Sequence, residues 1–139
     1  MKKLIIVIFC ILSVFVIVVV GSMIFERIYM SNTELSYMGV NFIMIDISDG
    51  VLRTTDESEI REIIEVLNTI PYVKAHRDTR FPQSPVARIR IQNEDERMNI
   101  NINFYGGATT FRRHNVGRLY KVDYDLVEPL LQELIQRFR

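Results

Sequence analysis

The sequence predicts an α+β protein: an N-terminal transmembrane helix, then a two-layer domain in the order β-α-β-β-β-β-α, with a mainly antiparallel sheet and two helices on one of its faces. Three observations predict it. Leu4–Phe25 is an uncharged run in which 17 residues are Leu, Ile, Val or Phe. Residues 87–121 alternate apolar and polar side chains between turn signals, as strands with one buried face do. Two further stretches, near residues 56–69 and 125–138, repeat apolar side chains at helical spacing behind acidic caps.

As an α-helix, Leu4–Phe25 rises about 33 Å, enough to cross a hydrocarbon core of roughly 30 Å. Lys2 and Lys3 precede it and only Arg27 follows closely, so the bias of positive charge holds the amino terminus in the cytoplasm. The expected organisation is a cytoplasmic stub at 1–3, a span at 4–25 in contact with the lipid bilayer, a tether at 26–37 and an extracytoplasmic domain at 38–139. A cleaved secretory signal ending near Gly21 and Ser22 is the alternative, against which stands an apolar run longer than the roughly 7–15 residues of signal sequences. Cys10 is the sole cysteine and lies within the run. The outer domain therefore has neither a disulfide nor a thiolate nucleophile.

Glu26–Tyr37 is polar and without period, which suits a tether. Val40–Ile47 is apolar at both sets of alternate positions and reads as a buried strand, with Asp49-Gly50 as the turn after it. Thr54 and Glu57 have the capping-box spacing, and Asp56, Glu57 and Glu59 suit the positive end of a helix. Ile60, Ile63, Ile64 and Leu67 then make its apolar stripe, until Pro71 ends it. Tyr72–Pro85 has two prolines, three basic residues and no period. It reads as a long loop.

The register of the remaining strands follows from turn lengths. A four-residue turn at Asn93–Glu96 sets Ile89 against Ile100 and Ala87 against Ile102. Gly106-Gly107, a two-residue hairpin signal, sets Ile102 against Phe111 and Phe104 against Thr109. A second four-residue turn, His114–Gly117, sets Phe111 against Tyr120. All three hairpins then share one apolar face. In the last helix Asp125 is the expected cap with Glu128 at the box position, Pro129 falls in its first turns, and Leu126, Val127, Leu130, Leu131, Leu134, Ile135 and Phe138 form the stripe.

The lysine-led anchor, the strand IMIDISDG leading into TTDESEIREIIEVL, and the closing sheet and helix together resemble a broad class of small membrane-anchored extracytoplasmic proteins of low-GC Gram-positive bacteria. The resemblance implies a location and a layout. It supplies no activity, cofactor or site residue.

Catalytic signatures are scarce. The two histidines, His76 and His114, belong to no motif, and no nucleophile is paired with a base by spacing. No metal-ligand spacing is present, Asp46-Ile-Ser-Asp49-Gly50 lacks the spacing and distal Glu of a calcium loop, and no Gly-rich loop leads into a helix that would hold a phosphate. No cofactor is expected. All 17 carboxylates and all but two of the 17 basic residues lie from Glu26 onward, and that near-neutral balance together with the location disfavours nucleic acid as a partner.

One constellation rises above this background. The register puts Arg88, Arg90, Arg97, Arg112 and Lys121 on the polar sheet face among Asn99, Asn101, Asn103 and Tyr105, with no carboxylate, and aligns Arg88, Asn101 and Arg112 across three strands. Guanidinium forks and amides clamp oxyanions. A solvated face kept soluble by long polar side chains has the same pattern. Two functional readings follow. One is a non-enzymatic interaction or regulatory module, anchored at the membrane and holding a membrane-protein or anionic envelope partner on this face. The other is an envelope-acting hydrolase or transferase with a histidine base and arginine clamps, which requires His, carboxylate and Arg to converge in a concave pocket.

Overall fold

A computed structural model describes residues 2–31, 33–75, 84–93, 99–113 and 116–139. The chain divides into two compact units, Met1–Asn32 and Thr33–Arg139.

The first unit is one helix, α1 (Lys2–Ser31). Its apolar residues lie on every side rather than on one face. The side chains described, those of residues 9–24, are exposed apart from half-buried Ser13. Among the described residues no helix is long and apolar enough to cross a membrane.

The second unit is α+β. Its elements are β1 (Val40–Ile47), β2 (Gly50–Thr54), α2 (Glu57–Leu67), β3 (Val73–Lys74), β4 (Ala87–Asn93), β5 (Ile100–Phe104), β6 (Ala108–Arg113), β7 (Val116–Lys121) and α3 (Tyr124–Arg137). The strands form one seven-stranded sheet in the order β2-β1-β4-β5-β6-β7-β3, every pair antiparallel. Two strands exceed the expected count. β2 turns back on β1 straight after Ser48-Asp49, and β3 is a two-residue strand within the expected loop, laid along β7.

One face of the sheet carries the core. Ile43, Ile45 and Ile47 of β1, Ile89 and Ile91 of β4, Ile102 and Phe104 of β5 and Phe111 of β6 are buried there with the stripes of α2 and α3. β1 is thus buried on one face, not two: Phe42, Met44 and Asp46 on its other face are half-buried. α2 packs on β1, and α3 on β2 and β1. Toward the other edge an aromatic group closes the core. Tyr72 meets Phe111 and Tyr120 edge to face, ring centres 5.6 and 5.8 Å away, the geometry that aromatic quadrupoles favour. Burial pushes the Tyr72 hydroxyl far above the ordinary tyrosine value.

Helix starts differ from expectation by one to two residues, because the side chain that reaches back to the free N–H groups decides the cap. α2 is capped by Asp56, not Thr54: the Asp56 carboxylate accepts from the backbone N–H of Ser58 and Glu59 at 2.9 and 3.1 Å. Thr54 acts one step earlier, accepting from the Asp56 N–H and donating to Glu59. α3 is capped by Asp123, not Asp125, and continues through Pro129, with Leu126 left 63% exposed outside its stripe. The Ser58 hydroxyl, then the Glu59 N–H, holds the Asp56 carboxyl below its ordinary 3.8. A carboxyl depressed in the folded state stabilises above its unfolded pKa and loses that effect as pH falls through the folded value. Asp56→Ala is therefore expected to lower the melting temperature at pH 7, with the difference from wild type shrinking once pH drops below about 3.8; an equal difference at pH 7 and pH 2.5 would show that the charge is irrelevant to the cap.

The expected tether is only partly a tether. Glu26–Ser31 belongs to α1, and Leu35, 4% exposed, is part of the core of the domain. Asn68, at the end of α2, spans both backbone groups of Leu35: its Oδ1 accepts from the Leu35 N–H at 2.8 Å and its Nδ2 donates to the Leu35 carbonyl at 2.9 Å. Buried Arg113 donates to the Glu34 carbonyl at 3.0 Å. Gly39 then leads into β1 with φ 76°, and a Cβ there would lie 2.7 Å from Asn93 Oδ1. Both the backbone conformation and the space call for glycine at that position.

Candidate functional site

Neither α2 nor α3 packs on the second face of the sheet. Strand alternation places there Val51 and Arg53 of β2, Phe42, Met44 and Asp46 of β1, Arg88, Arg90 and Gln92 of β4, Asn101 and Asn103 of β5, Thr110 and Arg112 of β6, and Leu119 and Lys121 of β7. Arg53, Arg88, Arg90, Arg112 and Lys121 are exposed, while Asn101 and Asn103 are half-buried. The centre of this face is a hollow of ≈ 700 Å³, lined among others by Met44, Arg88, Arg90, Asn101, Asn103 and Arg112.

The faces agree with the sequence and the register does not. Ile89 pairs with Ile102, not Ile100, and Ala87 with Phe104, not Ile102. Tyr120 pairs with Thr109, and Phe111 with Arg118. The middle hairpin has the expected partners, Ile102 with Phe111 and Phe104 with Thr109. Each slip is two residues, and an even slip leaves every side chain on its face. Its effect is on which residues are neighbours. Arg88 lies opposite Asn103 rather than aligned with Asn101 and Arg112, and it is Arg90 that completes that row.

Two rows cross the face. The first runs Arg53, Met44, Arg90, Asn101, Arg112, Gly117. The second runs Val51, Asp46, Arg88, Asn103, Thr110, Leu119. Asp46 overturns the expectation of a face without carboxylates: β1, whose place in the sheet the turn lengths did not give, pairs with β4 and brings Asp46 opposite Arg88. The first row has no carboxylate. Arg112 lies along Gly117, whose missing Cβ would stand 3.8 Å from its Nε.

Among the other expected site residues, Lys121 is on this face near its β3 edge, opposite Ala108 and Val73 and away from the arginine rows. Tyr105 follows β5 and lines the hollow. Asn99 precedes β5, half-buried, with its Oδ1 buried and without a hydrogen-bond partner. Arg97, His76 and His114 lie outside the described residues. Sequence reasoning missed Arg53, because β2 was not recognised. Its signal was the alternation of Leu52 and Thr54 with Val51 and Arg53 straight after a turn dipeptide, over only five residues.

The polar side chains of the two rows are mainly guanidinium, amide and hydroxyl groups, which can donate hydrogen bonds to an anion. Among the described residues no group of three His, Cys, Asp or Glu side chains is placed to ligate a metal ion. Among them too, Arg53, Arg88, Arg90 and Arg112 make no ion pair, and the two pairs present, Arg61 with Glu57 and Arg137 with Glu62, involve helix residues. Their guanidinium groups therefore keep their donors available to a ligand. No protein-family model, no curated protein and no solved structure matches the chain.

Proposed function

We propose that this chain is a membrane-anchored interaction module, with its amino terminus in the cytoplasm and its domain outside, which holds an anionic envelope or membrane ligand on the open sheet face. The observation that carries the reading is that face itself: exposed Arg88, Arg90 and Arg112 with half-buried amides around a hollow, exposed Arg53 on the neighbouring edge strand, and Asp46 as the single carboxylate among the described strand residues. Solubility alone is served as well by interspersed charges of both signs, so the excess of arginine is what favours a ligand. The anchor is supported by Leu4–Phe25, which extends past the side chains described in α1 on both sides and bears no charge. A helix apolar all round is at home in protein or lipid interiors, not in water. Lys2 and Lys3 give the orientation.

Protoplasts displaying the full chain test this reading. Compared with protoplasts lacking it, they are expected to gain salt-sensitive binding of fluorescent anionic probes. External protease should abolish the gain and leave a membrane-retained fragment containing Lys2-Lys3. Probe binding that survives protease, or a domain wholly protected from it, counts against the proposal.

A further inference from the structure

We infer that the ligand is a linear phosphate polymer laid across the strands, bound along the row of Arg53, Arg90 and Arg112; this deepens the anion-binding reading above and rests on it. The row places an arginine on every second strand, β2, β4 and β6. With strands about 4.8 Å apart, neighbouring arginines start roughly 10 Å apart and the outer two roughly 19 Å apart. Two neighbours can reach one compact anion. All three cannot.

The intervening residues favour a chain. Met44 between Arg53 and Arg90 is half-buried and uncharged, and Asn101 between Arg90 and Arg112 is half-buried with an amide to donate. Gly117, without a side chain, leaves room for Arg112 to lie along the β7 end of the row. The parallel row is different in kind, because Asp46 beside Arg88 weakens its field and repels a polyanion that strays onto it. Together these make one positive stripe beside a row in which Asp46 offsets Arg88. Phosphate fits the stripe better than carboxylate. A polyphosphate carries its charges in the chain itself, at every unit, so it needs no register with arginines 10 Å apart, and its oxygens leave the phosphorus out of plane, able to accept from a guanidinium and an adjacent amide together. A polycarboxylate carries its charges on side chains that must match the spacing.

The test uses the full chain in neutral detergent micelles at low salt, titrated with inorganic phosphate, tripolyphosphate, long-chain polyphosphate and polyglutamate. Affinity per chain is expected to rise at least tenfold from tripolyphosphate to a polyphosphate long enough to span the row, through linked contacts. Arg53→Ala and Arg112→Ala should each weaken long-chain binding by about 3- to 5-fold, with the melting temperature unchanged. Each should also make the dependence of log affinity on log salt shallower by about 0.7, one phosphate contact's worth. Arg53→Lys should keep the salt slope. Tripolyphosphate binding as tightly as the long chain, or Arg53→Ala without effect on it, overturns the linear ligand and leaves a compact anion on the face. Polyglutamate binding equally well overturns the choice of phosphate. No binding of any of the four probes overturns both this inference and the anion-binding reading.

Discussion

Ile102→Asp is expected to unfold the α+β domain, while Arg90→Ala and Arg112→Ala, both paired with Asn101 beside it, leave it folded. Ile102 is fully buried between Ile89 and Phe111. An aspartate there has no partner, and burying a charge without one costs several kcal/mol. That is most of the stability of a domain of about 100 residues, which is 5–15 kcal/mol. The arginines are exposed, and exposed substitutions seldom change stability by more than about 0.5 kcal/mol. Circular dichroism and thermal melting of the three variants of the full chain check this. If the aspartate variant melts like wild type while the arginine variants unfold, the two faces have been exchanged.

The second large effect is expected at Asn68. Asn68→Ala removes both hydrogen bonds to the Leu35 backbone and strands a partly buried N–H and C=O, at a cost of about 2 kcal/mol. For a domain of this size that corresponds to roughly 10 °C in melting temperature. Leu35→Ala empties a core position and is expected to cost about 2–5 kcal/mol. The two are in contact, so their effects should fall well short of additive in a double-mutant cycle. Full additivity would mean that Thr33–Tyr37 is not held by the Asn68 amide, and that Asn68 acts only as the end of α2.

The sequence made the faces of this fold legible and its neighbourhoods less so. Alternation is a property of each strand by itself, so Ile89, Ile102 and Phe111 could be assigned to the core, and Arg88, Asn101 and Arg112 to the other side, before any pairing was known. Pairing depends on the turns. Gly106-Gly107 gave the right partners because Gly106 takes the positive φ, 76°, that such a turn needs. In the other two hairpins the assumed turn positions set a register off by two residues. β2 and β3 were lost because five and two residues are too few to show a period. With β2 went Arg53, which joins the row of Arg90 and Arg112, and with the unplaced β1 went Asp46, which lies opposite Arg88. Leu35 was unreadable for another reason: a single apolar residue in a polar segment has no pattern, and only its contacts across 33 positions with Asn68 give it meaning.

The joint between β1 and β4 bears on how the chain acquires this shape. β1 and β2 form one hairpin and β4 to β7 a meander, each closed by short connections, whereas Ile43 meets Ile91 only after the chain has passed through α2 and visited the opposite edge as β3. Loop closure is slower for such distant partners, so local hairpins form ahead of the central seam. Until the seam closes, Ile43 and Ile45 on one side and Ile89 and Ile91 on the other are open, hydrophobic strand edges of matching register. They fit the same edges of a second copy equally well, so exchange of the β1–β2 hairpin between chains is the misassembly expected where the seam closes slowly. A high concentration of folding chains favours that exchange, and rapid docking of the hairpin within its own chain suppresses it.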